Sequence, residues 1–188
     1  NSIAADGYYN TAFGTAAAQD TTTGDRNTAI GSFALYRNVT GGENTAIGAD
    51  SMGNNSGGTD GGSNTAVGAY SLYDITGGDR NVAVGVAAGE NLTTGNDNIF
   101  IGNFAGNDTN GSKAVIIGNY AGDDNSPSNS VIIGYAAARV IQGENTTAVG
   151  YNALKVATES DNTAVGAYAL QTLVAVSYTH LTLPTIGC

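Results

Sequence analysis

A few residue columns carry most of the chemistry this sequence offers. Two residues after a recurring glycine stand Phe33, Tyr70, Phe104, Tyr120 and Tyr168. An exposed stripe of this kind can stack on sugars. Large aromatics are usually mostly buried, so packing between chains is the other reading. A second column holds Asn10, Asn27, Asn44, Asn64, Asn81, Asn98 and Asn162. It is open to reading as glycan contacts, but a cap before each strand and a side-chain ladder are expected. Asn bonds its own backbone and tolerates the left-handed conformation.

Acidic loops come next: "GGTDGG" around Asp60, "GND" at Asp97 and "GDDN" with Asp123 and Asp124. Oxygen-rich loops can hold calcium. The spacing matches neither an EF-hand nor the calcium-binding nonapeptide repeat. Plain turn formation is the expectation, with no metal and no other cofactor. Glycoside hydrolysis needs two carboxylates about 5–10 Å apart. Every Asp here sits in a turn-like context, so no catalytic residue is assigned and the chain is read as a non-enzyme.

The stretch "VSYTHLTLPTIGC" at 176–188 contains the only histidine, His180, and the only cysteine, Cys188. The repeat phase calls for a new motif near 178–182, and none comes. "VSYTHLTLPT" is similar to the in-frame translation of adapter DNA used in sequencing libraries. The expectation is a non-native tail over 176–188 and a repeat domain over 1–175, a fragment open at both ends. Without the tail, no Ser–His or Cys–His nucleophile and no His-ligated zinc site is available.

Six basic residues against sixteen acidic ones give a net charge of −10. A phosphate backbone and an anionic membrane surface are both disfavoured as partners. No stretch reaches the apolar length needed to span a bilayer.

The elements that position these residues follow from self-similarity. The motif runs "NTAFG", "NTAIG" (twice), "NTAVG", "NVAVG", "NIFIG", "AVIIG", "SVIIG", "TTAVG", "NTAVG". Its closing glycines are Gly14, Gly31, Gly48, Gly68, Gly85, Gly102, Gly118, Gly134, Gly150 and Gly166, at spacings of 16 or 17 with one of 20. A short β-branched run closed by Gly predicts a strand ending in a turn. The stretches between, such as "TGGE" and "TGND", are turn chemistry. Each repeat is read as two short strands and two turns, one coil of a solenoid. Parallel stacking at roughly 4.8 Å per coil gives a rod of about 43 Å over nine steps. A slim coil rich in alanine buries little alone. Parallel association with further copies of the chain is therefore expected.

The unit N-T-A-[IV]-G-x-x-A-L, spaced by "TGG", resembles the head repeats of YadA-like trimeric autotransporter adhesins. It looks even more like the 16–17-residue variants in phage tail fibres and related bacterial surface fibres. The resemblance covers about residues 8–172. It implies a left-handed parallel β-roll with three chains around one axis. It also implies attachment to a host surface, or the spacing of a binding tip from its base, outside a bacterial cell or on a virion. The chain departs from the pattern at 98–134. There Phe100, Ile116 and Ile132 replace alanine, and Gly89, Gly106 and Gly122 stand where Leu35, Leu72, Leu154 and Leu170 stand elsewhere. A change of coil cross-section is expected there.

A further column, Thr11, Thr28, Thr45, Thr65, Thr147 and Thr163, is similar to the threonine ladders of ice-binding solenoids. Val82, Ile99, Val115 and Val131 interrupt it, and β-propensity alone explains it. The reading is thus an all-β parallel solenoid of about ten coils, forming a homotrimeric adhesive or spacer fibre. Its host-surface glycan or protein is not legible, and neither nucleic acid nor membrane is expected as a partner. A monomeric flat-faced binder of ice or glycan and a tailspike-like polysaccharide hydrolase are the alternatives.

Overall fold

Every copy of the motif forms a three-residue strand, because its β-branched residues favour extended backbone and the glycine after them breaks it. In the computed structural model, residues 7–54, 61–125, 127–141, 143–157 and 160–173 are described. Among them there is no helix. The chain is a parallel β-solenoid.

Ten strands stack into one sheet. They are β1 (Thr11–Phe13), β2 (Thr28–Ile30), β3 (Thr45–Ile47), β4 (Thr65–Val67), β5 (Val82–Val84), β6 (Ile99–Ile101), β7 (Val115–Ile117), β9 (Val131–Ile133), β11 (Thr147–Val149) and β13 (Thr163–Val165). Each pairs in parallel with the next, motif residue against motif residue, as in Thr28↔Thr45, Ala29↔Ala46 and Ile30↔Ile47. The enlarged loop before Ser63 does not disturb the register, since β3 still pairs Thr45↔Thr65.

Strand alternation sends the middle residue inward and its neighbours outward. Ala29, Ala46, Ala66, Ala83, Ala148 and Ala164 are accordingly buried. Facing them inside the coil are Leu35, Met52, Leu72 and Leu154, all fully buried. Where Phe100 enters the strand position, the opposite column loses its side chains. A Cβ on Gly89 or Gly106 would lie 2.6 Å from the Phe100 ring. One on Gly122 would lie 2.9 Å from Cδ1 of Ile116. The departure seen in the sequence is therefore an exchange of volume across the core. The ladder continues through it in register, Ala83↔Phe100↔Ile116↔Ile132.

Four two-residue strands form the second sheet: β8 (Asp124–Asn125), β10 (Val140–Ile141), β12 (Val156–Ala157) and β14 (Thr172–Leu173), in the order β14-β12-β10-β8. Here the sequence reading needs correction. Among the described residues, two strands per coil occur only from the coil of Gly118 onward. The described residues of the earlier coils make the return with turns, as the Thr-Gly-Gly segments there do not favour extended backbone. "RVIQ" and "KVAT" do favour it, while β8, an Asp-Asn pair of low β-propensity, is extended where it pairs with β10. The tail 176–188, with His180 and Cys188, and the acidic residue Asp60 lie outside the described residues. Among the described residues no helix is long and apolar enough to cross a membrane.

Candidate functional site: an aromatic and cationic face

The motif glycines set where the following side chains stand. Gly48 has φ +137°, and a Cβ there would lie 2.5 Å from the carbonyl oxygen of Gly68 in the next coil. Only a residue without a side chain lets consecutive coils approach this closely. The chain then turns through left-handed backbone two residues on. Phe33, Tyr70, Phe104, Tyr120 and Tyr168 all sit there, with φ of 55–58°. That region costs an L residue about 1–2 kcal/mol. Coil closure holds it in place: the N–H of Phe104 donates to the Val86 carbonyl at 2.9 Å, and that of Tyr168 to Tyr151 at 2.8 Å.

The five rings expected as one stripe divide into two arrangements. Phe33 and Tyr70 make edge contacts within their own coils, to Tyr36 and Tyr73, with centroids 5.5 Å apart in both cases. Phe104, Tyr120 and Tyr168 belong to a continuous ladder that two other rings complete. Phe104 stacks on Tyr120 at 5.4 Å, and Tyr120 meets Tyr135 edge-on at 6.0 Å. Tyr135 stacks on Tyr151 at 5.6 Å, and Tyr151 meets Tyr168 at 5.2 Å. Tyr135 and Tyr151 follow the motif glycine by one residue rather than two. The column rule therefore passed over them, although their chemistry is the same.

Two cations stand beside this ladder. Arg139 and Lys155 occupy one column, five residues after Gly134 and Gly150, and Asp123 holds the same place after Gly118. The Arg139 guanidinium lies 5.7 Å from the Tyr120 ring centre. Its Nε is 3.3 Å from Oδ2 of Asp123. Burial raises the Asp123 carboxyl above the usual carboxylate range; Arg139 opposes this, while Asp108 and Asp124 add to it. Desolvation and then the Tyr151 phenol push Tyr168 above the usual tyrosine range, and a hydrogen bond with Asn152 opposes that. Tyr120, Tyr135, Tyr151, Arg139, Asn152 and Lys155 line a cleft of about 380 Å³. Aromatic surface, two positive charges and one amide thus converge on a single face.

The other expected site residues have structural partners. Asn27 donates its amide to Gly41 O at 2.9 Å and accepts the N–H of Asn44 at 2.8 Å. The same pattern recurs from Asn10 to Asn98, and these side chains from Asn27 on are buried rather than offered to a ligand. Asp97 forms a two-point ion pair with Arg80, Nε to Oδ1 at 2.6 Å and the terminal nitrogen to Oδ2 at 3.1 Å. That hydrogen bond holds the Asp97 carboxyl below its ordinary value. No group of three or more His, Cys, Asp or Glu side chains is gathered as a metal site among the described residues. No protein-family model matches the chain, and no curated protein or solved structure matches it either.

Proposed function

We propose that this chain is a segment of a homotrimeric fibre, displayed on a bacterial surface or a virion tail, that mediates or spaces attachment to a host surface. The observation that carries the reading is the outer face of the ten-stranded sheet. Ile30, Ile47, Val84, Ile101 and Ile133 project from it in register, each 36–39% exposed. A parallel column beginning at Thr28 runs beside them and includes Ile99 and Val131, also more than a third exposed. A continuous apolar strip of this kind is unusual on a monomer and marks an interaction surface.

The strip repeats once per coil. A second copy of the chain, laid parallel, repeats at the same rise and can meet it coil against coil. Cyclic association of identical chains closes the strip without leaving a free edge. The likeness of the motif to trimeric fibre repeats supports three copies and an extracellular setting. A rod with many equal coils also suits multivalent contact, in which avidity rather than one tight site gives attachment.

The test is solution mass by light scattering on the full chain, with circular dichroism on the same sample, for the parent and for Ile101→Lys. A β-rich trimer that the substitution turns into a β-rich monomer is expected. A parent that is folded and monomeric would overturn the proposal.

A further inference from the structure

We infer that the cleft along Tyr120, Tyr135 and Tyr151 binds a saccharide that carries spaced carboxylates, as in a chain that alternates uronic acid with a neutral sugar. The inference builds on the attachment reading by naming the class of ligand attached. The cleft is formed within one chain, so ligand binding and oligomeric mass are read independently.

Three observations converge. First, Tyr135, Tyr151 and Tyr168 are 46–54% exposed, although aromatic rings of this size gain from burial. Their centroids advance by 5.2–5.6 Å per coil, comparable with the length of one pyranose. The C–H groups of a sugar ring can rest on such surface, and the phenols and the Asn152 amide can bond its hydroxyls.

Second, the chain has only six basic residues, and two of them, Arg139 and Lys155, lie one coil apart at this cleft. Arg139 is held by Asp123. Among the described residues no carboxylate pairs with Lys155. A carboxylate on the ligand supplies the missing partner, and charge-assisted hydrogen bonds are the stronger class.

Third, the surrounding charge limits what that carboxylate is attached to. A net charge of −10 repels a polyanion charged at every unit, such as a nucleic acid. With Arg139 held by Asp123, a chain charged on alternate sugars sets one carboxylate against Lys155 and neutral sugars on the rings either side, without crowding the acidic surface. Peptides are anchored best by side chains in enclosed, desolvated pockets. This cleft offers open ring surface instead.

Calorimetric titration and saturation-transfer NMR on the full chain test the inference. The probe is a hyaluronan hexasaccharide, with maltohexaose as the uncharged control and an alternating Glu-Gly hexapeptide as the carboxylate control. The hexasaccharide is expected to bind about tenfold more tightly than maltohexaose, from one charged hydrogen bond, and about fivefold more tightly than the peptide, which lacks the sugar-ring contact. Lys155→Gln is expected to weaken it about tenfold on the same ground. Tyr135→Ser is expected to weaken it about fivefold through lost ring contact. Arg26→Gln, on a distant coil, leaves it unchanged. Chemical-shift changes of tyrosine ring signals in the parent need no variant, so a misfolded variant does not block the test. The inference is overturned if the hexasaccharide does not bind, if either control binds equally, or if Lys155→Gln has no effect. It is also overturned if Tyr135→Ser changes the oligomeric mass and not the affinity, since the ring would then be an interchain contact.

Discussion

The side-chain oxygen of Asn64 lies 2.9 Å from the backbone nitrogen of Asn81 and accepts its hydrogen bond. The Asn64 amide donates in turn to the Gly78 carbonyl at 2.7 Å. One buried side chain thus satisfies a donor in the next coil and an acceptor in the turn that leads to it. Buried backbone groups without partners are costly, so this column holds the turns where the sheet ladder does not reach.

Replacing Asn64 by alanine orphans both groups. A loss of about 2–6 kcal/mol is expected, from one to three per unsatisfied group. Asn64→Asp keeps the acceptor, loses the donor and buries a charge. Its destabilisation is expected to shrink as pH falls and the carboxyl protonates. Denaturant unfolding of both variants at neutral and acidic pH checks this.

Gly48→Ala and Gly166→Ala should differ sharply. Both residues have positive φ, +137° and +126°. At Gly48 the new Cβ would also lie 2.5 Å from backbone of the next coil, whereas at Gly166 the nearest atom is the Ala169 Cβ at 3.9 Å. The first change is expected to prevent coil stacking around it. The second should cost only the conformational strain, about 1–3 kcal/mol. Thermal unfolding followed by circular dichroism separates the two.

Phe100→Ala is expected to cost about 3–5 kcal/mol through the cavity it leaves. Gly106→Leu alone should also destabilise, because its Cβ would meet the Phe100 ring at 2.6 Å. Combined, they should recover much of the loss. Leu35 and Leu72 occupy the same column with φ of 52° and 48°, so leucine is tolerated there. A double-mutant cycle with positive coupling is the expected outcome.

Asp123 sets a pH dependence. Its folded carboxyl titrates above the unfolded one, because of burial first, with Asp108 and Asp124 adding and Arg139 opposing. The folded state then holds its proton more firmly. Stability attributable to this group falls as pH rises from the unfolded value through the raised folded value, and is regained on acidification. Asp123→Asn should remove that component from the stability–pH curve. It also releases Arg139, so binding of the hyaluronan hexasaccharide should tighten at neutral pH.

The coils were legible because a fixed period with one glycine leaves few other solutions. The ten motif glycines could be read as backbone requirements, and their φ values and close approaches give the reason. The second sheet was not legible in its extent. Strands as short as Val140–Ile141 carry too few residues to show a pattern. Phe104, Tyr120 and Tyr168 were found by position, while Tyr135 and Tyr151 were missed because a turn can bring neighbouring positions to one surface. Arg139 and Lys155 escaped notice because their meaning comes from what stacks beside them. The exchange of Phe100 for Gly89 and Gly106 was visible as a departure, but its compensation across the core required the interior to be seen.

In both sheets the strands lie across the rod, and the hydrogen bonds joining them point along it. Tension applied at the two ends would pull on those bonds head-on, one rung after another, rather than shearing many together. Each coil set free would add up to about 50 Å of slack, for roughly sixteen residues at about 3.5 Å each less the roughly 4.8 Å the coil already spans. A rod of this design is expected to yield coil by coil under load, in steps set by the 16 or 17 residues of most coils.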